Sequence, residues 1–324
     1  MASQPKSFAN PKKLKFVFTL AIGLPNRFLA GGSQQFLTLT IQGLRASVHV
    51  DNGGGNMMPQ LQAQIYGMTA SDMNAVTTIN WATQGIAALA NVLPNIVAVY
   101  AVEGPGQEVL VFSGNIVNAW GIYTGMPDVF LTVEARGFYF AQLTPSQRTT
   151  IKTNTDIATV MEQLANNLGM IFENNGVTGT VRAGQTLSGS WLDQANQMAD
   201  AYRDRFTLYR DTSTASLSTI GTLAITPPNV ARPGGTPVVN PRSGLIGYPA
   251  FNGYGGILFD TYFNPAIKFG GQVEIQSAIP KASGKAYVSS LSHDLESQTP
   301  GGRWRSTVTA YSTQGAAALA AAGG

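Results

Sequence analysis

The chain has no cysteine and only two histidines among its 324 residues, and 11% of it is charged. Without thiols there is no disulfide frame, no thiolate metal site and no cysteine nucleophile, and the fold is indifferent to redox compartment. His49 and His293 fall in different β segments, and two histidines alone disfavour a histidine-based metal centre. The formal net charge is +3 and the basic residues are scattered, which disfavours nucleic-acid recognition on electrostatic grounds. No segment offers the roughly 18 uninterrupted apolar residues of a membrane span, so no membrane insertion is expected. Soluble domains usually carry about 25% charged residues. Because the buried centre of a subunit interface is depleted of charge, the deficit favours a surface covered by assembly over a monomer solubilised by Ser, Thr, Asn and Gln.

What is present is enough apolar material, 44% of residues, for two or three domains at roughly 100 to 200 residues each. Lys12, Lys13 and Lys15 precede the apolar run Phe16 to Leu24 and imitate a signal peptide. Phe16, Phe18, Leu20 and Ile22 alternate with Val17, Thr19 and Ala21, however, and no clean small-residue cleavage site follows, so the run reads as a strand.

Residues 1–145 read as a β domain, the first of two tube-like β-barrel modules. Candidate strands are Phe36 to Ile41, Ala46 to Val50, Leu61 to Tyr66, Ile96 to Val102, Val109 to Phe112, Asn115 to Ile122 and Val129 to Ala135. Asp51 to Asn56 and Gly104-Pro105-Gly106 suit hairpin connections. One helix is expected from Ala70 to about Trp81, capped by Ser71, on the side of a closed or nearly closed barrel. Residues 146–226 read as a small α+β domain. Asn154 or Thr155 caps a helix with Ile157, Val160, Met161, Leu164, Ala165 and Leu168 on one face, ended by Gly169. Ser188 or Ser190 caps a second, with Trp191, Leu192, Ala195, Met198, Ala199 and Tyr202 as its stripe, before a strand at Phe206 to Tyr209. Residues 227–250 are a Pro/Gly-rich connector read as irregular. Residues 251–312 return to β, with strands expected at Gly256 to Tyr262, Gln272 to Ser277, Ala286 to His293 and Arg303 to Ala310, and 313–324 form a low-complexity tail. The fold class is therefore mainly β with an α+β insert.

Catalytic patterns are weak. Ser292-His293-Asp294 invites a triad, but successive residues of a strand point to opposite faces, and the chain has no G-x-S-x-G elbow. His49, between Val48 and Val50, reads as an interior or interface histidine. Glycoside hydrolysis would need a pair of carboxylates, whereas Asp193, Asp200, Asp204 and Asp211 read as a solvated helix face near Arg203 and Arg205. Asp51 lacks the acidic alternation of a calcium loop, and Gly253-Tyr254-Gly255-Gly256 is not a phosphate-binding fingerprint. Trp81, Trp120, Trp191 and Trp304 are scattered, as packing anchors would be.

The closing third carries a resemblance. Phe259 to Phe263 running into Asn264-Pro265, then Gly270-Gly271-Gln272-Val273, Tyr287-Val288, Ser292-His293 and Pro300-Gly301-Gly302-Arg303-Trp304 resemble, in this order, the closing domain of phage baseplate hubs. These are the late control D-like and Mu-like central hub proteins. Val97 to Tyr100, Val111 to Ile116 and Glu134-Ala135 resemble that group's tube-type barrel, and Asn154 to Gly169 with Ser190 to Tyr209 its inserted α+β domain. The resemblance implies a non-enzymatic homotrimer without a cofactor. Its two barrels per subunit would make a pseudo-sixfold ring between a sixfold tail tube and a threefold central spike. It further implies contacts with the tail tube protein, the spike protein and baseplate wedge proteins, with the tape measure protein as a further candidate. DNA would pass through without sequence recognition. The site would be the virion tail baseplate, assembled in the host cytoplasm. The alternatives are a tail-associated peptidoglycan hydrolase and the equivalent hub of a tailocin or type VI secretion particle.

Overall fold

A computed structural model of the chain describes residues 12–22, 35–54, 57–77, 95–104, 106–125, 127–216, 219–252 and 255–312. The amino-terminal apolar run is strand β1 (Lys13–Ile22), with Leu14, Phe16, Phe18 and Leu20 buried on one face. It is followed by β2 (Gln35–Gln42), β3 (Ala46–Asn52), β4 (Gln60–Tyr66), helix α1 (Ala70–Val76), β5 (Ile96–Gly104), β6 (Gln107–Ile122) and β7 (Phe130–Arg136). These strands pair antiparallel in the order β3-β4-β7-β6-β5-β1-β2, so the run that imitates a signal peptide is paired on both edges. Alternation is the cause: Ala46, Val48 and Val50 of β3, and Leu61, Ala63 and Ile65 of β4, point to the core while their neighbours point away.

Three expectations are corrected in this region. Thr69, not Ser71, caps α1, its hydroxyl accepting from Asp72 N at 3.1 Å. The helix ends at Val76, because Thr77 leaves helical geometry, and Trp81 lies outside the described residues. The segments Val109 to Phe112 and Asn115 to Ile122 are one strand of 16 residues, bent by register shifts against both partners.

The insert follows as α2 (Tyr139–Leu143), β8 (Thr149–Thr150), β9 (Thr155–Asp156), α3 (Ile157–Leu168), β10 (Ile171–Asn174), β11 (Thr180–Val181), β12 (Thr186–Leu187), α4 (Trp191–Ala201), β13 (Thr207–Asp211) and β14 (Thr222–Thr226). All six expected apolar residues of α3 are buried, and Gly169 closes it in the left-handed region at φ 71°. Its cap is Asp156, which accepts from Ala158 N, rather than Asn154 or Thr155. Asn154 instead accepts from Ala183 N, and Thr155 pairs with Val181. Ser190 caps α4 in a reciprocal box with Asp193, which is thereby a capping residue and not part of a free charged face. Gln194, buried on the same helix, donates to Ser146 Oγ and to the carbonyl of Gln147.

The expected irregular connector is in fact tied into the sheet. It contains β15 (Val238–Val239), parallel to β18 (Gln272–Ile275), and β16 (Leu245–Phe251), antiparallel to β17 (Gly256–Tyr262). A 3-10 turn at Pro280–Ala282 leads into β19 (Gly284–Ser297), and β20 (Trp304–Ser312) closes the described chain. The first half of β19 pairs with β18, and its second half pairs with β3 from Leu291↔Asn52 to Ser297↔Ala46. One sheet therefore runs β16-β17-β20-β19-β3-β4-β7-β6-β5-β1-β2 through both β regions. It curls until β1 lies within 8 Å, Cα to Cα, of residues in β19, which makes the first module a nearly closed barrel.

Three apolar clusters result. One fills the first barrel and takes in Phe263, Leu295 and Trp304 from the closing segment. The second is that of the insert, and the third lies under β16 to β20 and includes Tyr209 and Ala224 of the insert. The chain is mainly β, with two tube-like β modules and a small α+β unit.

Candidate functional site

Two buried junctions and one outward polar face stand out. The first junction centres on Arg232. Its guanidinium lies 2.8 Å from Glu173 Oε2 on β10 and 3.1 Å from Asp211 Oδ2 on β13, and it also donates to the Phe269 carbonyl at 3.1 Å. Arg232 is 8% exposed and the Asp211 side chain 3%. Asp211 is thus not part of a solvated face, a correction that follows from the connector folding back over β13. Burial alone would raise the Glu173 pKa, but hydrogen bonds from Arg232 and Asn175 and the Arg232 charge outweigh it and hold the carboxyl below its ordinary value. Burial would likewise make Arg232 a weaker base, yet Glu173 and Asp211 more than compensate. The same crowding explains Gly270, whose φ is 77°. A Cβ there would come within 2.8 Å of Arg232 Cδ and of the Tyr209 ring. Val273 and Val288 are fully buried beside it, and Tyr287 stacks on Tyr311 and donates to Asn229 Oδ1 at 3.2 Å.

The second junction joins the β17 end and the β19–β20 hairpin to the first barrel. Asn264 Oδ1 accepts from Ala266 N, turning the chain after Phe263 at Asn264-Pro265. Phe263 meets both His293 and Trp304 edge to face, with centroids 5.2 and 6.0 Å apart. His293 Nδ1 lies 2.7 Å from Ser306 Oγ, and full burial pushes its pKa down to about 4, so the ring is neutral near neutrality. The hairpin turns through Pro300-Gly301-Gly302, with Gly301 at φ 69° and Gly302 N donating to Thr299 O.

The third feature is the polar face of the sheet. Asn118, Glu134, Gln62, His49, Asp294 and Arg305 sit opposite one another across six strands. Asn118 donates to Glu134 at 2.9 Å, His49 Nδ1 lies 2.8 Å from Asp294 Oδ1, and Arg305 Nε lies 3.5 Å from Asp294 Oδ2. A shallow groove of about 250 Å³ opens over Ser47, His49, Gln62, Glu134, Asp294 and Arg303.

The run Ser292-His293-Asp294, which alternation argued against as a triad, is divided between the two faces of the sheet. Ser292 and Asp294 point outward, whereas His293 points into the core and bonds Ser306. Asp294 holds the other histidine, His49, which is exposed and so corrects its interior reading. Local sequence held no sign of that pair, whose members are 245 residues apart. No group of three or more histidines or carboxylates able to hold a metal exists among the described residues, and none of their helices is long and apolar enough to cross a membrane.

This architecture, a strongly curved sheet with an α+β insert braced against it, is a fold shared with solved structures of tail proteins. The chain is similar to a 43 kDa tail protein of prophage MuSo2 from Shewanella oneidensis, with TM-score 0.55 at 11% identity over 92% of this chain and 97% of that one. It is also similar to a tail protein of Neisseria meningitidis MC58, with TM-score 0.56 at 8% identity over 92% and 96%. A third likeness is to the E. coli c3393 protein, described as a type VI secretion component resembling T4 tail proteins gp27 and gp5, with TM-score 0.52 at 9% identity over 83% and 73%. No curated protein sequence matches. The family model for baseplate hub gp41 matches residues 33–301, and the chain belongs to that family. It is a structural component of a phage tail baseplate.

Proposed function

We propose that this protein is a trimeric adaptor that joins a sixfold tail tube to a threefold central spike and encloses part of the DNA channel. The observation that carries the reading is the β3–β19 pairing, which makes both β modules parts of one curved sheet with a polar outward face. Three copies with two modules each would present six tube-like units to the tube and three subunits to the spike. The division into 1–145, 146–226, 227–250, 251–312 and 313–324 belongs to this proposal. So do the structural roles of Asn264, Pro265, Gly270, Val273, Tyr287, Val288, His293, Pro300, Gly301, Gly302 and Trp304 at the two junctions, and of Ser292 on the outward face. The partners are the tail tube, spike, wedge and tape measure proteins, and the protein acts without catalysis or cofactor.

The scarcity of charge supports extensive burial between subunits, since obligate interfaces run to about 2,000 to 5,000 Å² and exclude charge from their centres. The likeness to a type VI secretion component favours, as a second reading, the same adaptor in a phage-derived particle. Electron cryomicroscopy of the purified protein tests the proposal. Threefold particles with pseudo-sixfold rings are expected, and a monomer at the highest soluble concentration would overturn it. Clearing of a cell-wall suspension, lost on substituting one carboxylate, would instead establish the hydrolase.

A further inference from the structure

Asparagine precedes glycine at 52, 175 and 252. In such a pair the glycine amide nitrogen can attack the asparagine Cγ, because glycine brings no β-carbon to obstruct the approach. The structure treats the three pairs differently. Asn52 ends β3 in register with Leu291, and a Cβ at Gly53 would lie 2.8 Å from Met57 Sδ, so that pair is extended and covered. Asn252 is tied on both sides, its Oδ1 accepting from Gly256 N and its N–H donating to Gly256 O. Asn175 and Gly176 form the tip of a bend after β10, held by Asn174, whose side-chain amide accepts from Val177 N and donates to Val177 O. Gly176 is exposed, a Cβ on it would meet nothing within 4 Å, and its N–H has no acceptor among the described residues. The attacking nitrogen is therefore unengaged and has room to close a cyclic imide.

The place of the Asn175 side chain gives that reaction a consequence. Its Nδ2 donates to Glu173 Oε1 at 2.7 Å, and the two Glu173 oxygens also face Arg232 at 3.2 and 2.8 Å. We propose that Asn175 is a site of spontaneous deamidation, and that the carboxylate so formed loosens the Arg232 clamp between the insert and the closing β segment. Gly176 N bonds to Asn175 Cγ, the Cγ–Nδ2 bond breaks, and Nδ2 leaves as ammonia with the proton given up by the Gly176 amide. Water then opens the imide at either of its carbonyls and leaves aspartate or isoaspartate at 175. The net change is amide plus water to carboxylic acid plus ammonia, with no oxidant, metal or enzyme required. A donor to Glu173 is thereby replaced by a second carboxylate, which removes one hydrogen bond and adds like-charge repulsion. Arg232 and Asp211, the other members of the clamp, are 8% and 3% exposed, so salt screens the added charge poorly there. This is independent of the ring-forming reading and goes beyond it: the chain carries a one-way clock that weakens one of its own joints with age.

The test starts from the full wild-type chain, held for days in mildly alkaline buffer and then digested for peptide mass spectrometry. Conversion at Asn175 is expected to run several-fold ahead of conversion at Asn52, with isoaspartate detected by an isoaspartyl methyltransferase. Asn175→Gln would have to close a larger ring and should stay unconverted at that position. Hydrogen exchange in β10 and around Arg232 should quicken in the aged wild type and not in the aged Asn175→Gln protein. Asn175→Asp should lower the urea midpoint near neutrality, and the deficit should shrink as pH falls through the ordinary carboxylate range at about 4, because the repulsion needs both groups ionised. An Asn175 that stays intact throughout, whatever the other two pairs do, overturns the site. A wild-type midpoint and wild-type exchange in Asn175→Asp overturn the link to the clamp.

Discussion

Arg232 and Asp211 face each other across 3.1 Å with side chains 8% and 3% exposed, and the pair fastens a loop after β14 to the strand before it. A buried ion pair is weak evidence of net stabilisation, because desolvating two charges offsets most of their attraction. Its consequence is specificity. Arg232 can satisfy its donors only where Glu173, Asp211 and the Phe269 carbonyl converge, which fixes the insert against the closing β segment.

Removing one partner should therefore cost more than removing both. Arg232→Met leaves the buried Asp211 carboxylate, among the described residues, with only Ser213 as a neutral hydrogen-bond donor, and about 3 to 5 kcal/mol of stability should be lost. Arg232→Met combined with Asp211→Leu should cost clearly less than the sum of the single changes. Urea denaturation of the four proteins reads this, and simple additivity would remove the pair's role.

Acid should weaken the fold through His293. The unfolded imidazole takes up a proton near 6.5 and the folded one only near 4, so its contribution is complete above 6.5 and is lost as pH falls toward 4. The slope approaches about 1.4 kcal/mol per pH unit inside that window. The Glu173 contribution has the same sign but fades lower, as pH falls from the ordinary carboxylate value through its depressed folded one. His293→Gln should flatten the urea midpoint across the upper window and leave the decline at lower pH. An unchanged profile would mean that the ring is not held neutral.

Two glycines separate backbone freedom from crowding. Gly301 has φ 69° with nothing within 4 Å of a Cβ, so Gly301→Ala should cost only about 1 to 2 kcal/mol for the left-handed conformation. Gly270→Ala should cost distinctly more, because its Cβ would also press on Arg232 and Tyr209. Equal losses in thermal midpoint would contradict the close approach.

Trp304 closes the first barrel from the far end of the chain. Trp304→Ala should destabilise by about 3 to 5 kcal/mol, typical of truncating a large buried aromatic. Trp304→Phe should recover a substantial part of this, as the apolar contact with Phe263 is kept. A loss confined to the closing segment, with hydrogen exchange in β1 and β5 unchanged, would show that this side chain does not couple the two β regions.

Alternation in the sequence determined which residues of each strand face a core, because a strand with one buried face must repeat every two residues. Phe16, Phe18 and Leu20 in β1 were legible for that reason and the face of α3 through the 3.6-residue helical repeat, and the adjacency of Ser292, His293 and Asp294 was enough to dismiss a triad. Caps were less so, since Ser71, Asn154 and Thr155 have side chains equal in kind to those of Thr69 and Asp156, and only the path of the preceding chain selects among them.

Tertiary structure alone decided that β3 meets β19, that Asp294 bonds His49 rather than its neighbour His293, and that Arg232, Glu173 and Asp211 share one buried point. Those partners lie tens to hundreds of residues apart, and no local periodicity encodes which strand edge meets which. That choice belongs to whichever closure of the sheet buries the apolar faces and satisfies the polar groups together.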